Sequence, residues 1–426
     1  MLSQQYPVLD VRSPGEFTHA HIPGAYNLPL FTDEERKVVG TAYKQESRET
    51  AIKIGLDYFG VKMRKMVEEA ERITGKGQWA MGNEQGAMSK RQEAMSKGQE
   101  AMSNEKLAMS KGQEAMGNEQ GAMGNEQLAM GKGQEARGNG QEKNITNELG
   151  QLPIANCLLV YCWRGGMRSA GVAWLLDLYG FKVYTLIGGY KVYRHWVRTQ
   201  FEKKYNFTIL GGYTGTGKTL VIRELKRLGK AVVDLEGLAN HKGSAFGALG
   251  EKPQPSQELF ENLLAGQLSA VSQKIVASEE ACSLSNDLAG AIYMEDESQR
   301  IGLLNIPNEL WNTMRNSSLV FIDIPFEERL DYLTEEYGRF EKENLVNAII
   351  RIQKRLGGLE TKTAINHLLE NNYKECFRVL LKYYDKCYGK ALINREKILA
   401  LFNKITCLSV DVKTITNTLI NEKATI

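Results

Sequence analysis

Asn206-Phe207-Thr208-Ile209-Leu210-Gly211-Gly212-Tyr213-Thr214-Gly215-Thr216-Gly217-Lys218-Thr219-Leu220-Val221-Ile222-Arg223-Glu224-Leu225 is the stretch that decides the fold. Its first five residues read as a strand. Gly212 to Thr219 meets the pattern G-x-x-x-x-G-K-[ST] at every required position, and a helix opens at Thr219. Strand, glycine-rich loop and helix together make an anion cradle. The glycines let backbone N–H groups converge on a di- or triphosphate, and the helix N-terminus adds positive potential. The candidate phosphate-binding set is Gly212, Gly215, Gly217, Lys218 and Thr219. Lys218 would neutralise phosphate charge and Thr219 could hold Mg²⁺. The loop implies a phosphate-bearing ligand without separating ATP or GTP from another diphosphate. An acid that assists the loop should follow an apolar strand. Asp234, after Ala231-Val232-Val233, and Asp323, after Leu319 to Ile322, both qualify.

A second chemical signal lies upstream, in Leu158-Leu159-Val160-Tyr161-Cys162-Trp163-Arg164-Gly165-Gly166-Met167-Arg168-Ser169. An apolar strand ends in a cysteine, and a helix starts at Ser169. The intervening loop, with two glycines, can curl its N–H groups around the sulfur. The helix terminus and the charges of Arg164 and Arg168 act in the same direction. Cys162 is therefore expected to be a nucleophile of depressed pKa, with Arg164, Gly165, Gly166 and Arg168 as its anion-binding surroundings. Cys157, Cys282, Cys376, Cys387 and Cys407 lack such a cradle and are expected to be ordinary buried thiols.

Outward from these loops the chain falls into parts. Residues 6–75 carry a strand (Tyr6 to Val11), a turn-rich stretch and a helical pattern from Glu46 to Ile73. Residues 154–200 add a strand, a helix (Ser169 to Tyr179), a strand (Lys182 to Ile187) and a Gly-Gly turn. Strands alternating with helices predict parallel α/β sheets. Between these flanks, Gly77 to Asn139 repeats a heptad nine times and holds eight of the fourteen methionines. Its Ala-Met pair is adjacent in sequence rather than spaced as a and d, and each unit carries Gly or Ser, so a coiled coil is disfavoured. The repeat reads as a low-complexity insertion, disordered or at best weakly helical, and without chemistry. The expected organisation is residues 1–76 and 146–203 as two parts of one α/β domain, 77–145 as the insertion, 204–326 as the phosphate-loop α/β domain, and 327–426 as a helical region. The Thr/Val/Ile-rich end after about 404 has no clear pattern.

Composition fits this division. The chain has 426 residues, enough for two domains, with 42% hydrophobic and 25% charged residues. No apolar run is long enough to span a bilayer, and the first residues lack the basic and apolar regions of a signal peptide. No CxxC pair suggests a zinc ribbon, and the dispersed cysteines suggest no disulfide scaffold. A reduced, cytoplasmic protein with no membrane partner is expected. The formal net charge of +3 leaves any nucleic-acid surface to local basic clusters.

Three further pieces, in order, give the cysteine loop its context. Val8-Leu9-Asp10-Val11-Arg12-Ser13-Pro14-Gly15-Glu16-Phe17 is followed by His19-Ala20-His21-Ile22-Pro23-Gly24-Ala25-Tyr26-Asn27-Leu28-Pro29, and Leu186-Ile187-Gly188-Gly189-Tyr190 comes later. Together they resemble a rhodanese domain, which implies that Asp10 and Arg12 brace the fold and that His19 and His21 are structural. Tyr161 stands where phosphatases with this kind of loop carry a histidine, which favours sulfur or selenium transfer over ester hydrolysis. The blocks Gly40 to Gln45, Val233 to Gly247 and Met294-Glu295-Asp296-Glu297-Ser298 complete a wider resemblance, covering nearly everything but the repeat, to the tRNA 2-selenouridine synthase family.

That resemblance implies a fold, an α/β rhodanese-like parallel sheet domain followed by a P-loop NTPase-like α/β domain with a helical C-terminal region. It also implies a transferase that acts on the wobble 2-thiouridine of tRNA. The sulfur would be geranylated from geranyl diphosphate, and selenium from selenophosphate would then displace the geranylthio group. Cys162 would carry the selenium as a selenylsulfide, and the loop around Lys218 would grip the diphosphate. No resident cofactor is implied beyond Mg²⁺ at the loop, and nothing sets the oligomeric state. Arg351, Lys354 and Arg355, with Arg329 and Arg339, are candidate tRNA phosphate contacts. A P-loop kinase fused to a rhodanese sulfurtransferase is the alternative reading.

Overall fold

A computed structural model describes residues 6–75, 157–281, 290–393 and 402–422. The expectation for the heptad repeat and that for Cys282 lie outside the described residues.

The first sheet holds four parallel strands in the order β2-β1-β3-β4, formed by β1 (Val8–Asp10), β2 (Ala25–Asn27), β3 (Cys157–Tyr161) and β4 (Lys182–Thr185). β1 pairs with β3 in the register Val8↔Leu159, so the segments on either side of the repeat share one sheet. β3 is buried along its length, as expected of a parallel strand covered on both faces. Its residues alternate between two cores. Leu158, Val160 and Cys162 join Phe31, Phe59 and Leu176 on one face. Leu159 and Tyr161 join Val8, Ile22 and Tyr190 on the other.

The helices of this part are α1 (Pro14–His19), α2 (Asp33–Gln45), α3 (Arg48–Gly60), α4 (Met63–Thr74), α5 (Met167–Leu178) and α6 (Gly189–Phe201). Asp10 and Arg12, both buried, form the brace that the sequence suggests. The Arg12 guanidinium donates to Asp10 Oδ2 at 2.6 Å and to the Ala20 carbonyl at 2.7 Å. Tyr161 completes the cluster, donating to Asp10 Oδ2 at 2.7 Å and accepting from Ile22 N.

The second sheet is also parallel, in the order β10-β9-β5-β6. It comprises β5 (Phe207–Gly212), β6 (Ile292–Glu295), β9 (Ser318–Asp323) and β10 (Phe402–Thr406). A small antiparallel pair, β7 (Arg300–Ile301) and β8 (Leu304–Asn305), stands apart. β5 lies between β9 and β6, so the loop after Gly212 opens at the carboxyl edge of the sheet. Helices α7 (Lys218–Arg227), α8 (Leu235–Ala239), α9 (Gln257–Ala281) and α10 (Asn308–Arg315) follow in this half.

Residues beyond 326 are helical over α11 (Phe326–Gly338), α12 (Lys342–Leu356), α13 (Gly358–Leu369) and α14 (Tyr373–Ile393). These helices build their own core around Leu345, Ile349, Phe377 and Leu381. The helical reading fails at the end of the chain. Phe402–Thr406 is a strand paired with β9, and α15 (Val412–Glu422) packs on α7 through Ile415 and Leu419. The short segment reads weakly by itself because its partner is some eighty residues earlier.

The two halves meet where α6 packs on α9. Asn262 on α9 donates to the Tyr190 hydroxyl at 2.7 Å and to the His21 carbonyl at 2.8 Å, and Tyr190 donates to Glu258 at 2.8 Å. Arg194 pairs with Glu261.

Candidate functional site: a thiol loop and a phosphate loop

Cys162 sits at the end of β3, and the loop to α5 folds back over it. Its sulfur lies 3.3 Å from Ser169 Oγ. Burial pushes the thiol pKa up. Hydrogen bonds from the Ser169 side chain and from the backbone N–H groups of Ser169, Arg164 and Gly166 outweigh this, and the net shift is downward. The Ser169 side chain is the larger stabiliser of the thiolate, and the backbone N–H nest adds to it. Arg168 directs its guanidinium to Glu16 at 3.4 Å, and that carboxylate also holds Arg36. Arg164 is exposed at the loop surface. The turn Gly188-Gly189-Tyr190 closes the loop from behind, where Tyr190 N donates to the Cys162 carbonyl at 2.9 Å and Lys191 N to the Trp163 carbonyl at 3.0 Å. The Tyr190 ring lies 5.7 Å from that of Trp163, so one residue links the thiol loop to α9 of the other half.

His21 stacks on Phe17 and hydrogen-bonds the Phe17 carbonyl at 2.8 Å, a structural setting. Of the cysteines expected to be buried, Cys157, Cys376 and Cys407 are, but Cys387 is exposed on α14.

The phosphate loop is closed over its own lysine. Lys218 Nζ donates to the Gly212 carbonyl at 2.8 Å. Gly215 has φ +86°, and a Cβ there would lie 3.0 Å from the Arg329 carbonyl and from Leu333. Tyr388 on α14 ties the loop to β6. Its hydroxyl accepts from Gly212 N at 3.1 Å and donates to Asp296 at 2.7 Å.

Neither sequence-derived acid is the one at Thr219. Asp234 caps α8, accepting from Gly237 N at 2.6 Å, and Asp323 pairs with Lys404 at 2.7 Å. The Thr219 hydroxyl donates instead to Glu236. Glu297 lies beside Glu236 as well. Burial first, then the Glu236 charge, pushes its pKa well up, against the pull of Lys218. Glu295, fully buried, is raised by burial and by Asp234 and Glu236, and it accepts from Leu235 N at 3.1 Å. The blocks Val233 to Gly247 and Met294 to Ser298 contained these acids. The clustering of Glu295 and Glu297 around Glu236 was not visible because about sixty residues separate the two blocks in sequence. Among the described residues, no group of three or more His, Cys, Asp or Glu side chains is arranged to hold a metal ion.

Arg329 does not serve as an exposed tRNA contact. It is buried and forms a two-pronged pair with Asp385 at 2.9 and 2.8 Å, with a further bond to the Thr214 carbonyl. Position on a helix that also bears exposed charges gave no sign of this. Arg351, Lys354 and Arg355 are exposed on α12, and Arg339 is exposed beside Glu336.

A rhodanese-like sheet carrying a low-pKa thiol, joined to a P-loop α/β domain, defines the class. Residues 1–54 match the model of the rhodanese-like domain, and residues 205–407 match that of the tRNA 2-selenouridine synthase AAA domain. A tRNA 2-selenouridine synthase of Sulfurovum sp. is 30% identical over 90% of this chain and 87% of its own length. Those of Nitrosomonas europaea (30% identical) and Cupriavidus pinatubonensis (32%) match over 78% of this chain and over 63% and 66% of their own lengths. The chain belongs to the tRNA 2-selenouridine synthase family.

Proposed function

We propose that this protein converts the wobble 2-thiouridine of tRNA to 2-selenouridine in two stages. In the first, the phosphate loop holds geranyl diphosphate while the thiocarbonyl sulfur attacks its C1. The C–O bond breaks, diphosphate leaves, and Lys218 and the loop N–H groups take up the charge on the leaving group. Thr219 and Glu236 form the pair fitted to hold Mg²⁺, which would add positive charge at the diphosphate. In the second stage a selenium nucleophile derived from selenophosphate adds to C2 of the base and geranylthiolate departs. Cys162, with Arg164, Gly165, Gly166 and Arg168 around it, would carry that selenium as a selenylsulfide, loaded from selenide with a two-electron oxidant and discharged to the base with a thiol reductant. Alkylation makes the sulfur a better leaving group, which accounts for a phosphate loop in a reaction without ATP turnover.

The observation that carries this reading is the low-pKa thiol of Cys162, tied through Tyr190 to the helix that packs on the phosphate-loop sheet. The exposed Arg351, Lys354 and Arg355 supply a local basic face for tRNA. Among the described residues no helix is long and apolar enough to cross a membrane; a tRNA substrate supports the reading of a cytoplasmic enzyme. The test is incubation of 2-thiouridine tRNA with the protein, geranyl diphosphate and selenophosphate, followed by mass analysis of nucleosides. S-geranyl-2-thiouridine and then 2-selenouridine should appear. ATP hydrolysis in place of geranyl transfer would refute the assignment.

A further inference from the structure

Four large apolar side chains stand in solvent around the Cys162 loop. Trp163 follows the nucleophile directly, and Met167 opens α5. Ile187 lies in the turn before α6, and Val192 lies in the first turn of that helix. Their exposures are 38%, 53%, 88% and 50%, whereas Cys162 is 3% exposed. The two segments that carry them are packed together. A Cβ on Gly165 would lie 2.6 Å from the Leu186 carbonyl oxygen, and one on Gly188 would run into Val192. Lys191 N donates to the Trp163 carbonyl at 3.0 Å. Single exposed apolar residues are ordinary. Four of them gathered around one buried thiol make a binding surface. Arg164 and Lys191 are exposed on the same two segments, so positive charge flanks the hydrocarbon. Selenide or selenophosphate, as small anions, would use the N–H nest and the cations but have no need of an apolar rim.

We propose that this rim holds the geranyl chain of the S-geranyl-2-thiouridine intermediate, with Arg164 and Lys191 meeting the flanking tRNA phosphates. The inference rests on the two-stage reading given above and deepens it by assigning the intermediate a site at the selenium carrier. Anticodon bases are single-stranded and can be splayed onto a protein surface. A base that carries a terpene thioether brings hydrocarbon and polyanion together, and the two segments present a partner for each. The rim also sorts substrates. A 2-thiouridine that has not been alkylated lacks the chain and is held less tightly beside Cys162.

The experiment measures Kd by calorimetry on the full chain for one anticodon stem-loop RNA carrying 2-thiouridine, S-methyl-2-thiouridine or S-geranyl-2-thiouridine at the wobble position. Wild type is compared with Ile187→Ser, Val192→Ser and Leu178→Ser. Leu178 is 70% exposed but lies at the opposite end of α5 from Met167, so it controls for loss of an exposed apolar side chain as such. The three side chains are at the surface, and their replacement leaves the protein folded. Each buried CH₂ contributes about fourfold in affinity, so cover for two or three of them should make wild type favour the geranyl RNA over the methyl RNA by at least about tenfold. Ile187→Ser and Val192→Ser should each cut that preference by about threefold or more, with affinity for the 2-thiouridine RNA unchanged. Leu178→Ser should keep the wild-type preference.

A geranyl preference that is absent from wild type, or that survives both rim changes, would overturn the rim site and leave that surface to a protein partner. Equal loss in Leu178→Ser would overturn it too. Conversion of the ready-made geranyl RNA keeps this failure apart from that of the functional reading. Wild type is loaded with selenophosphate and an oxidant and then given a thiol. If 2-selenouridine forms while the rim changes have no effect, the rim site alone is lost. If wild type leaves the geranyl RNA unconverted, the two-stage reading falls and the rim site with it.

Discussion

At the scale of single residues, the thiol of Cys162 is set by hydrogen bonds more than by full charges. Ser169 contributes both a hydroxyl and an N–H to the sulfur. Ser169→Ala should raise the pKa of Cys162, because it removes a donor to the thiolate and leaves the burial that opposes ionisation. The pH midpoint of alkylation by iodoacetamide should move upward, and an unchanged midpoint would show that the backbone alone holds the thiolate. Cys162→Ser should end selenium incorporation yet leave geranylation, since only the second stage uses a carrier nucleophile. Nucleoside mass analysis should then show geranylated tRNA accumulating; selenouridine at wild-type level would remove Cys162 from its role. The nucleophile was legible in the sequence because strand, nest and helix are contiguous there. Glu236 at Thr219 and Glu297 beside Glu236 were not, because the folding of separate segments brings them there.

Among elements, the turn before α6 and the brace after β1 carry unequal loads. Gly189 has φ +60°, and a Cβ there would stand 2.3 Å from the Cys162 carbonyl oxygen. Gly189→Ala should lower stability by at least about 1–3 kcal/mol from backbone strain alone, and loss of Cys162 reactivity should accompany it. Arg12→Ala leaves Asp10 buried and unpaired, a change that costs about 3–5 kcal/mol. Arg64→Ala removes an exposed pair with Glu68 and should cost less than about 0.5 kcal/mol. Urea unfolding of the three variants should reproduce that order, and an Arg12→Ala protein as stable as Arg64→Ala would contradict the brace. Periodicity and glycine placement sufficed to read β1, β3, β5 and the helices after each loop. β10 was missed because only its pairing with β9 defines it, and Arg329 was misplaced because the Asp385 that buries it lies on a distant helix.

For the whole molecule, β1 and β3 are neighbours although the heptad repeat separates them. The segment from Gly77 to Asn139 has an Ala-Met pair too narrow to dock as a helix face. Its removal changes loop-closure entropy only logarithmically. The deleted protein should therefore unfold within a few degrees of the intact one and react at a similar rate; a large fall in either would show that the repeat packs on the enzyme or on tRNA. The account as a whole stands on the phosphate loop serving a prenyl diphosphate and the thiol loop serving selenium. The most direct test is nucleoside mass analysis of 2-thiouridine tRNA treated with geranyl diphosphate and selenophosphate by wild type, Lys218→Ala and Cys162→Ser. The account predicts selenouridine from wild type, unmodified 2-thiouridine from Lys218→Ala, and S-geranyl-2-thiouridine from Cys162→Ser. Normal geranylation by Lys218→Ala would contradict it.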